Sequence, residues 1–500
     1  MTGRVYLIGA GPGDPGLITL RGAELLARAD VVLYDGLSNV KILTHAASAE
    51  HICVGKHGQS RIWTQQEIIV EMLRHARAGA TVARLKGGDP AVFARTAEEV
   101  EALKSAEIPF EIVPGITAAL AAGSYAGIPI THRRHASAVA LVTGHEEPGK
   151  SESALDWDAL ARFPGTLVVY MGVTTASFWT SALIQAGKSG DTPVAILRRC
   201  SLADQQTIRC RLEEVADRLT PATKLRPPVI VIIGEVTKLS ESMAWFESRP
   251  LFGKTILVTR SDQQASELST PLQELGATVW ESPAIQIDEP EDWAPVDSLI
   301  EHPEAFDYLV FSSRNGVQYF LDRLLVSEFD LRQLSPLQIA VVGERTADAL
   351  REYHLHPDIV PDDYRAASLA AMLRPIAKGK RFALLRASRG ADTLADELVK
   401  AGGVVEQLIT YSHRDISQGD PRVIEKMNRG EITWVTVTSN AIAASLVALY
   451  GESLRRAKIA SLSPGITSAL KVLGYDVDAE ASIATIESLV DSIHQSELRR

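Results

Sequence analysis

Arg4-Val-Tyr-Leu-Ile-Gly-Ala-Gly-Pro-Gly-Asp-Pro-Gly16 runs from an apolar strand straight into a loop of glycines and prolines. The same order of short β-rich run, loop and amphipathic helix recurs through the first half. Strand candidates are 4–9, 31–34, 81–85, 138–143, 166–170, 193–197 and 229–233, with helical patterns at Leu20–Ala29 and Gln65–Ala78. Strands alternating with helices predict an α/β fold built on mostly parallel sheets with flanking helices. Pro114-Gly115 interrupts the pattern, which predicts two lobes, about 1–114 and 115–240. Residues 241–252 show no sustained period and are expected to be a linker.

At 500 residues the chain exceeds one core, given roughly 100–200 residues per domain. A composition of 46% hydrophobic and 23% charged residues fits folded globular material and argues against long disorder. No run reaches the roughly 18 apolar residues of a membrane span. Val5-Tyr-Leu-Ile8 lacks the basic flank and longer apolar stretch of a signal peptide. Cys53, Cys200 and Cys210 have neither zinc-site nor disulfide-framework spacing, so a reducing cytoplasm and no metal are expected. Net charge is −11, and residues 1–250 hold 26 Lys+Arg against 26 Asp+Glu while 251–500 hold 25 against 36. All the excess acid lies in the second half, and neither half has the basic excess of a nucleic-acid binder.

The second half contains an internal repeat. Gly253-Lys-Thr-Ile-Leu-Val-Thr-Arg260 returns as Gly379-Lys-Arg-Phe-Ala-Leu-Leu-Arg386, an offset of 126. Asp307-Tyr-Leu-Val-Phe-Ser-Ser313 returns at the same offset as Thr433-Trp-Val-Thr-Val-Thr-Ser439, and Ile339–Leu350 is echoed at 459–470, offset 120. Each copy reads as three strand–loop–helix units whose loops carry Ser, Thr, Gly or Arg where a helix begins. Such helix starts serve either as ordinary caps or, several facing one cleft, as an anion receptor.

Gly11-x-Gly13-x-x-Gly16, followed by Asp30 or Asp35, also fits a dinucleotide fingerprint. Pro12 and Pro15 argue against that reading, because each removes a backbone donor from a loop that would cradle a pyrophosphate. Other segments go with the loop: Tyr34-Asp35, Val54-Gly-Lys56, Arg84-Leu-Lys-Gly-Gly-Asp-Pro90, Val113-Pro-Gly-Ile-Thr-Ala118, Gly127-Ile-Pro-Ile-Thr-His-Arg133, Val142-Thr-Gly-His145 and Tyr170-Met-Gly172. Over about 1–240 their order resembles the uroporphyrinogen-III C-methyltransferases of the tetrapyrrole methylase family. The resemblance implies S-adenosylmethionine between two α/β lobes, two methylations of uroporphyrinogen III to precorrin-2, and a homodimer through this half. It implies donor contacts at Pro12, Gly87, Gly88, Asp89, Val92, Thr117, Ala118, Met171 and Cys200, with Asp35 as proton acceptor and Lys56 as proton donor. Arg84, Lys86, His132 and Arg133 are expected to meet the substrate's carboxylates, a pairing that suits arginine. Arg134 and His135 are either part of that set or merely exposed. Two departures stand out: Ala91-Val-Phe-Ala-Arg-Thr-Ala97 replaces a glycine-rich family segment, and Cys200 stands where glycine is common.

The repeat resembles uroporphyrinogen-III synthase over 253–500, through Ile256–Arg260, Phe311-Ser-Ser-Arg-Asn-Gly316, Val342-Gly343 and Thr346-Ala347. That likeness implies two lobes, one about 253–287 plus 415–500 and the other about 289–412, and closure of hydroxymethylbilane with loss of water and inversion of ring D. Tyr411 matches the tyrosine that helps the hydroxyl leave, and Thr346, Ser439 and Lys458 match cleft positions. The expectation is thus a bifunctional enzyme acting on small molecules, with no nucleic-acid or membrane partner. The alternative is a methyltransferase whose second half is a non-catalytic tetrapyrrole-binding or regulatory module.

Overall fold

The computed structural model describes residues 3–55, 63–145, 153–220, 223, 225–362, 366–389 and 392–498. Lys56, one of the expected catalytic residues, lies outside them. The chain divides into two compact units, Met1–Lys254 with Leu272–Thr278, and Thr255–Pro271 with Val279–Arg500.

The first sheet of the first unit comprises β1 (Arg4–Gly9), β2 (Val31–Tyr34), β3 (Glu50–Cys53), β4 (Thr81–Lys86) and β5 (Phe110–Val113), in the order β3-β2-β4-β1-β5. Every pairing in it is parallel. Alternate residues feed two cores: Tyr6, Ile8, Ala83 and Leu85 pack on one face, Val5, Leu7 and Val82 on the other. Burial on both faces is what the near-continuous apolar run of β1 encodes.

The second sheet comprises β6 (Val139–Thr143), β7 (Thr166–Tyr170), β8 (Pro193–Arg198), β9 (Gln206–Arg211) and β10 (Val229–Ile233), ordered β6-β7-β10-β8-β9. Here the parallel expectation holds only for β6 and β7. β10 runs antiparallel to both neighbours, and β9 antiparallel to β8. For β9 the reason is local: residues 199–205 between β8 and β9 are too few for the crossover that a parallel return needs.

Residues 241–252 are packed rather than a free linker. Trp245 Nε1 donates to the Ser124 carbonyl at 2.9 Å, and Phe246 and Leu251 are buried. The Tyr125 and Phe246 rings lie 4.7 Å apart, with the Arg249 guanidinium 3.9 Å from the Phe246 centroid. Aromatic side chains inserted one at a time leave no sequence period. Gly127 makes this packing possible: its φ is +65°, and a Cβ there would fall 2.3 Å from the Met243 carbonyl carbon. Gly127→Ala is expected to cost the first unit about 2–3 kcal/mol, combining backbone strain with overpacking. Thermal unfolding checks this, and an unchanged midpoint would contradict it.

The second unit holds β11 (Thr255–Val258), β12 (Thr278–Glu281), β13 (Ile285–Asp288), β14 (Tyr308–Phe311), β15 (Gln338–Val341), β16 (Arg381–Ala387), β17 (Val404–Asp415), β18 (Trp434–Val437), β19 (Lys458–Ser461) and β20 (Ala479–Glu480). They form two sheets, β12-β11-β18-β19-β20 and β13-β17-β16-β14-β15. The repeat is interleaved. β11 and β16, 126 residues apart, lie in different sheets, as do β14 and β18 at the same spacing. The Ala340–Ile359 bridge stands where β19 meets β20 at Ala460–Ala479, 120 residues on. Each sheet thus draws strands from both copies. The two passages between sheets pair with each other, Ile285–Asp288 running antiparallel to Ser412–Asp415.

Candidate active site

In the first unit the glycine loops close on one another. Gly11 and Gly88 exchange backbone hydrogen bonds of 3.1 and 2.9 Å. A Cβ on Gly9 would lie 2.5 Å from Gly115 Cα, and one on Gly115 would lie 2.3 Å from the Gly88 carbonyl oxygen. Asp89 ties the ends together, accepting from Ala91 N–H at 2.6 Å and Gly115 N–H at 3.0 Å. Val92 continues that turn, its N–H donating to the Asp89 carbonyl at 3.1 Å. Around Gly87, by contrast, a Cβ would find nothing within 4 Å, so this backbone faces open space. The dinucleotide reading fails here. Gly11 N–H is spent on Gly88, Gly16 N–H donates to Asp14 at 2.9 Å, and the next α-helix starts only at Leu20.

The second lobe meets these loops. Asp14 N–H donates to Ser201 Oγ at 3.0 Å, and Tyr125 Oη donates to Asp14 at 3.1 Å. Pro12 sits between Gly11 and Gly13, and a Cβ on Gly13 would reach the Cys200 carbonyl at 3.3 Å. Cys200 itself is turned into the core of the second lobe, where burial pushes its thiol up to about 12. Its backbone, not its sulfur, borders the loop. Thr117 and Ala118 open the helix Ala118–Tyr125. Thr117 Oγ1 lies 2.7 Å from Tyr170 Oη, which also accepts from Ala119 N–H at 3.0 Å. Phe93 covers Tyr170 with ring centroids 5.1 Å apart, and Met171, with φ +54°, is exposed beside it. Tyr170 and Phe93 fall in segments quoted from the sequence, but neither was given a role there.

Asp35 follows β2 directly, half-buried. Arg84 Nη2 donates to its Oδ1 at 2.6 Å and Gly87 N–H to its Oδ2 at 3.3 Å. Two expected substrate contacts must be corrected here. Arg84 and Lys86 are 3% and 2% exposed, because both project from the same face of a central strand into the protein. Each is bound to Glu99, Arg84 Nε at 3.2 Å and Lys86 Nζ at 2.6 Å, so neither meets a substrate carboxylate. His132 and Arg133 lie in the turn that precedes β6, where His132 and Ala136 exchange backbone hydrogen bonds of 2.8 and 2.9 Å, whereas Thr117 meets Tyr170 at the finishing end of the parallel β7.

In the second unit Tyr411 is buried, its Oη 2.9 Å from Ser313 Oγ. Ser313 caps the helix Arg314–Val326 by accepting from Gly316 N–H at 3.0 Å. Tyr319 stacks on Tyr411 at 5.8 Å, and burial raises the phenol pKa, so its proton is retained at neutral pH. Ser439, the repeat counterpart of Ser313, likewise caps its helix through Ile442 N–H at 3.1 Å. Thr346 is buried in the first turn of the helix Glu344–Glu352. Lys458 is a correction. It starts β19 opposite Trp434, the first residue of parallel β18, while Ser439 follows the other end of β18. There Lys458 is held by Glu497 and lies 4.7 Å from the Trp434 ring. The repeat loops also bring together two arginines of the quoted segments that were not assigned as site residues. Arg260 Nη1 and Arg314 share Glu267, the former at 3.3 Å, and Gln264 donates to Asn315 at 2.9 Å.

Glycine loops in one unit and capped strand-end loops in the other define a two-module α/β enzyme. The sequence pattern of the Tetrapyrrole (Corrin/Porphyrin) Methylases matches residues 4–216, and that of Uroporphyrinogen-III synthase HemD matches 266–491. The Porphyrin biosynthesis protein HemD of Ruminiclostridium josui is 34% identical over 497 residues, covering 98% of this chain and 97% of its own. The S-adenosyl-L-methionine-dependent uroporphyrinogen III methyltransferase of Methanosarcina barkeri is 47% identical over 240 residues, 48% of this chain and 94% of its own. Among solved structures, the uroporphyrin-III C-methyl transferase of Thermus thermophilus complexed with S-adenyl homocysteine aligns over 47% of this chain and all of its own, with 43% identity and a TM-score of 0.42. The chain belongs to the porphyrin-biosynthesis family that joins a tetrapyrrole methylase to a uroporphyrinogen-III synthase.

Proposed function

We propose that the first module methylates uroporphyrinogen III at C2 and C7 to give precorrin-2, and that the second module supplies that substrate by closing hydroxymethylbilane. One observation carries the first reading: Asp35, a carboxylate anchored by Arg84, stands beside the open backbone face at Gly87. The residues fit S-adenosylmethionine, since the loops around Gly87, Gly88 and Thr117–Ala118 leave a cradle that a single Cβ would begin to fill. When bound, it supplies an electrophilic methyl carbon on a sulfonium. The protein's part is alignment and proton management. C2 and C7 already carry side chains and become quaternary, so Asp35 takes the proton that a neighbouring position of the ring gives up as the carbon is methylated, and Lys56 is the proposed donor. The homodimer through the first module and the cytoplasmic setting belong to the same reading.

In the second module Tyr411 is the proposed donor to the departing hydroxyl, which leaves as water. Its Oη shares a hydrogen bond of 2.9 Å with Ser313 Oγ in which either hydroxyl can donate, so the phenol proton can turn toward a leaving oxygen. Supplying hydroxymethylbilane and S-adenosylmethionine to the intact chain should yield type III ring and its dimethylated product. Type I ring alone would leave the second module as a binding module, the alternative that its paired lobes also suit. Tyr411→Phe keeps the ring stacking and the Ser313 cap but removes the acid. Ring closure to the type III isomer is expected to slow by about 10–100-fold, with methylation of supplied uroporphyrinogen III unchanged. Unaltered closure would remove Tyr411 from the mechanism.

A further inference from the structure

Beneath Asp35 lies a chain of buried charge that substrate binding does not explain. Arg84 bridges Asp35 and Glu99, and Glu99 in turn holds Lys86. Glu99 is 0% exposed and is also bound by Gln65 Nε2 at 3.0 Å, from the start of the helix Gln65–Arg77. Two carboxylates and two cations make the group electrically neutral. Isolated buried charge is costly, and each member must be balanced by the others. Purely structural ion pairs are more economically placed at a surface. This one instead ends on the half-exposed carboxylate at the mouth of the glycine loops.

We propose that Glu99 and Lys86 are positioning residues that set the proton affinity of Asp35 through Arg84. The inference rests on Asp35 being the base of methylation. With only Arg84 and Lys86 nearby, Asp35 would face two buried cations, which favour its ionised form and weaken it as a base. Glu99 cancels one of them. Among the described residues, Tyr34 lies beside Asp35 on β2, where burial raises its phenol pKa, and Cys53 lies across on β3. Arg84 and Lys86 come from β4, and Glu99 comes from the helix Thr96–Ser105. Burial already lowers the pKa of Lys86, and Asp35 is among the charges that act on it, so the two ends of the chain sense each other.

Removing one charge at a time tests the balance. Lys86→Met leaves Asp35, Arg84 and Glu99 with an excess negative charge. The acid limb of the methylation pH profile, where Asp35 must be ionised, should then move up by about one pH unit. In Lys86→Met/Glu99→Gln the group is neutral again, and the limb should return to the wild-type position although two side chains have changed. Affinity for S-adenosylhomocysteine, read by calorimetry, should stay within a few fold in both. A merely structural role predicts lower thermal stability with the limb unmoved in either variant, and that result overturns the proposal. Asp35→Asn is run alongside. If it keeps wild-type turnover, the base assignment fails. If it loses turnover while the limb ignores Lys86→Met, only the present inference fails.

Discussion

Asp35→Asn is expected to lower methylation by about 10²–10⁴-fold, roughly 3–5 kcal/mol of transition-state stabilisation. The substitution keeps the side-chain shape and one acceptor oxygen, so Arg84 or Gly87 N–H retains a partner. What disappears is the capacity to take the proton that the ring system gives up next to the carbon being methylated. The amide cannot do this at any working pH, whereas most other features of the site survive it. Binding of S-adenosylhomocysteine should change by no more than a few fold, because the glycine loops do not depend on the Asp35 charge. Ring closure by the second module should be unchanged, since Tyr411 and Ser313 belong to a different unit. A variant with normal turnover, or one that loses ligand binding together with turnover, would make Asp35 an acid that merely finishes β2 and anchors Arg84.

The parts of the molecule that were legible are those whose side chains follow a period. β1, β2, β7 and β10 are apolar on both faces and were read within a residue of their ends. β3, β5 and β9 escaped because they are edge strands whose exposed positions break the apolar run, for example Glu50-His51 in β3 and the exposed Ile112 beside Glu111 in β5. The repeat at 126 residues was visible in the sequence. The placing of strands from both copies in one sheet came from resemblance alone, since periodicity does not record which sheet a strand joins. Charge was the main source of error. Arg84 and Lys86 were taken as ligand contacts because cations, arginine above all, suit the substrate's carboxylates, and such residues are seldom fully buried unless paired. Their spacing of two on a central strand puts them on one inward face. The compensating signal was Glu99, four residues before Leu103 on the buried side of its helix. Lys458 failed for a different reason. A motif match gives a residue type near a strand, whereas the end of the strand decides whether the residue reaches the site.

Gly87→Val separates the needs of the ligand from those of the fold. Most glycines in these loops are required by the protein itself. Gly88 has a φ of +71°, and Gly9 and Gly115 approach each other too closely for any side chain. Substituting those would disturb folding and binding together. Gly87 has neither constraint, as its φ lies outside the left-handed region and no protein atom comes within 4 Å of a Cβ built on it. The protein alone therefore gives no reason for glycine at this position. A close-lying ligand does, because a branched side chain would occupy the space the ligand needs. Gly87→Val should accordingly fold with a thermal midpoint near that of the wild type. Its affinity for S-adenosylhomocysteine should fall by about 10²-fold, roughly 3 kcal/mol, and methylation should drop with it at limiting donor. Raising the donor concentration should recover part of the rate, since Asp35 and Arg84 are untouched. Should the variant bind as tightly as the wild type, the open face at Gly87 is not where the methyl donor lies, and the cradle must be sought on the Thr117–Tyr170 side of the loops.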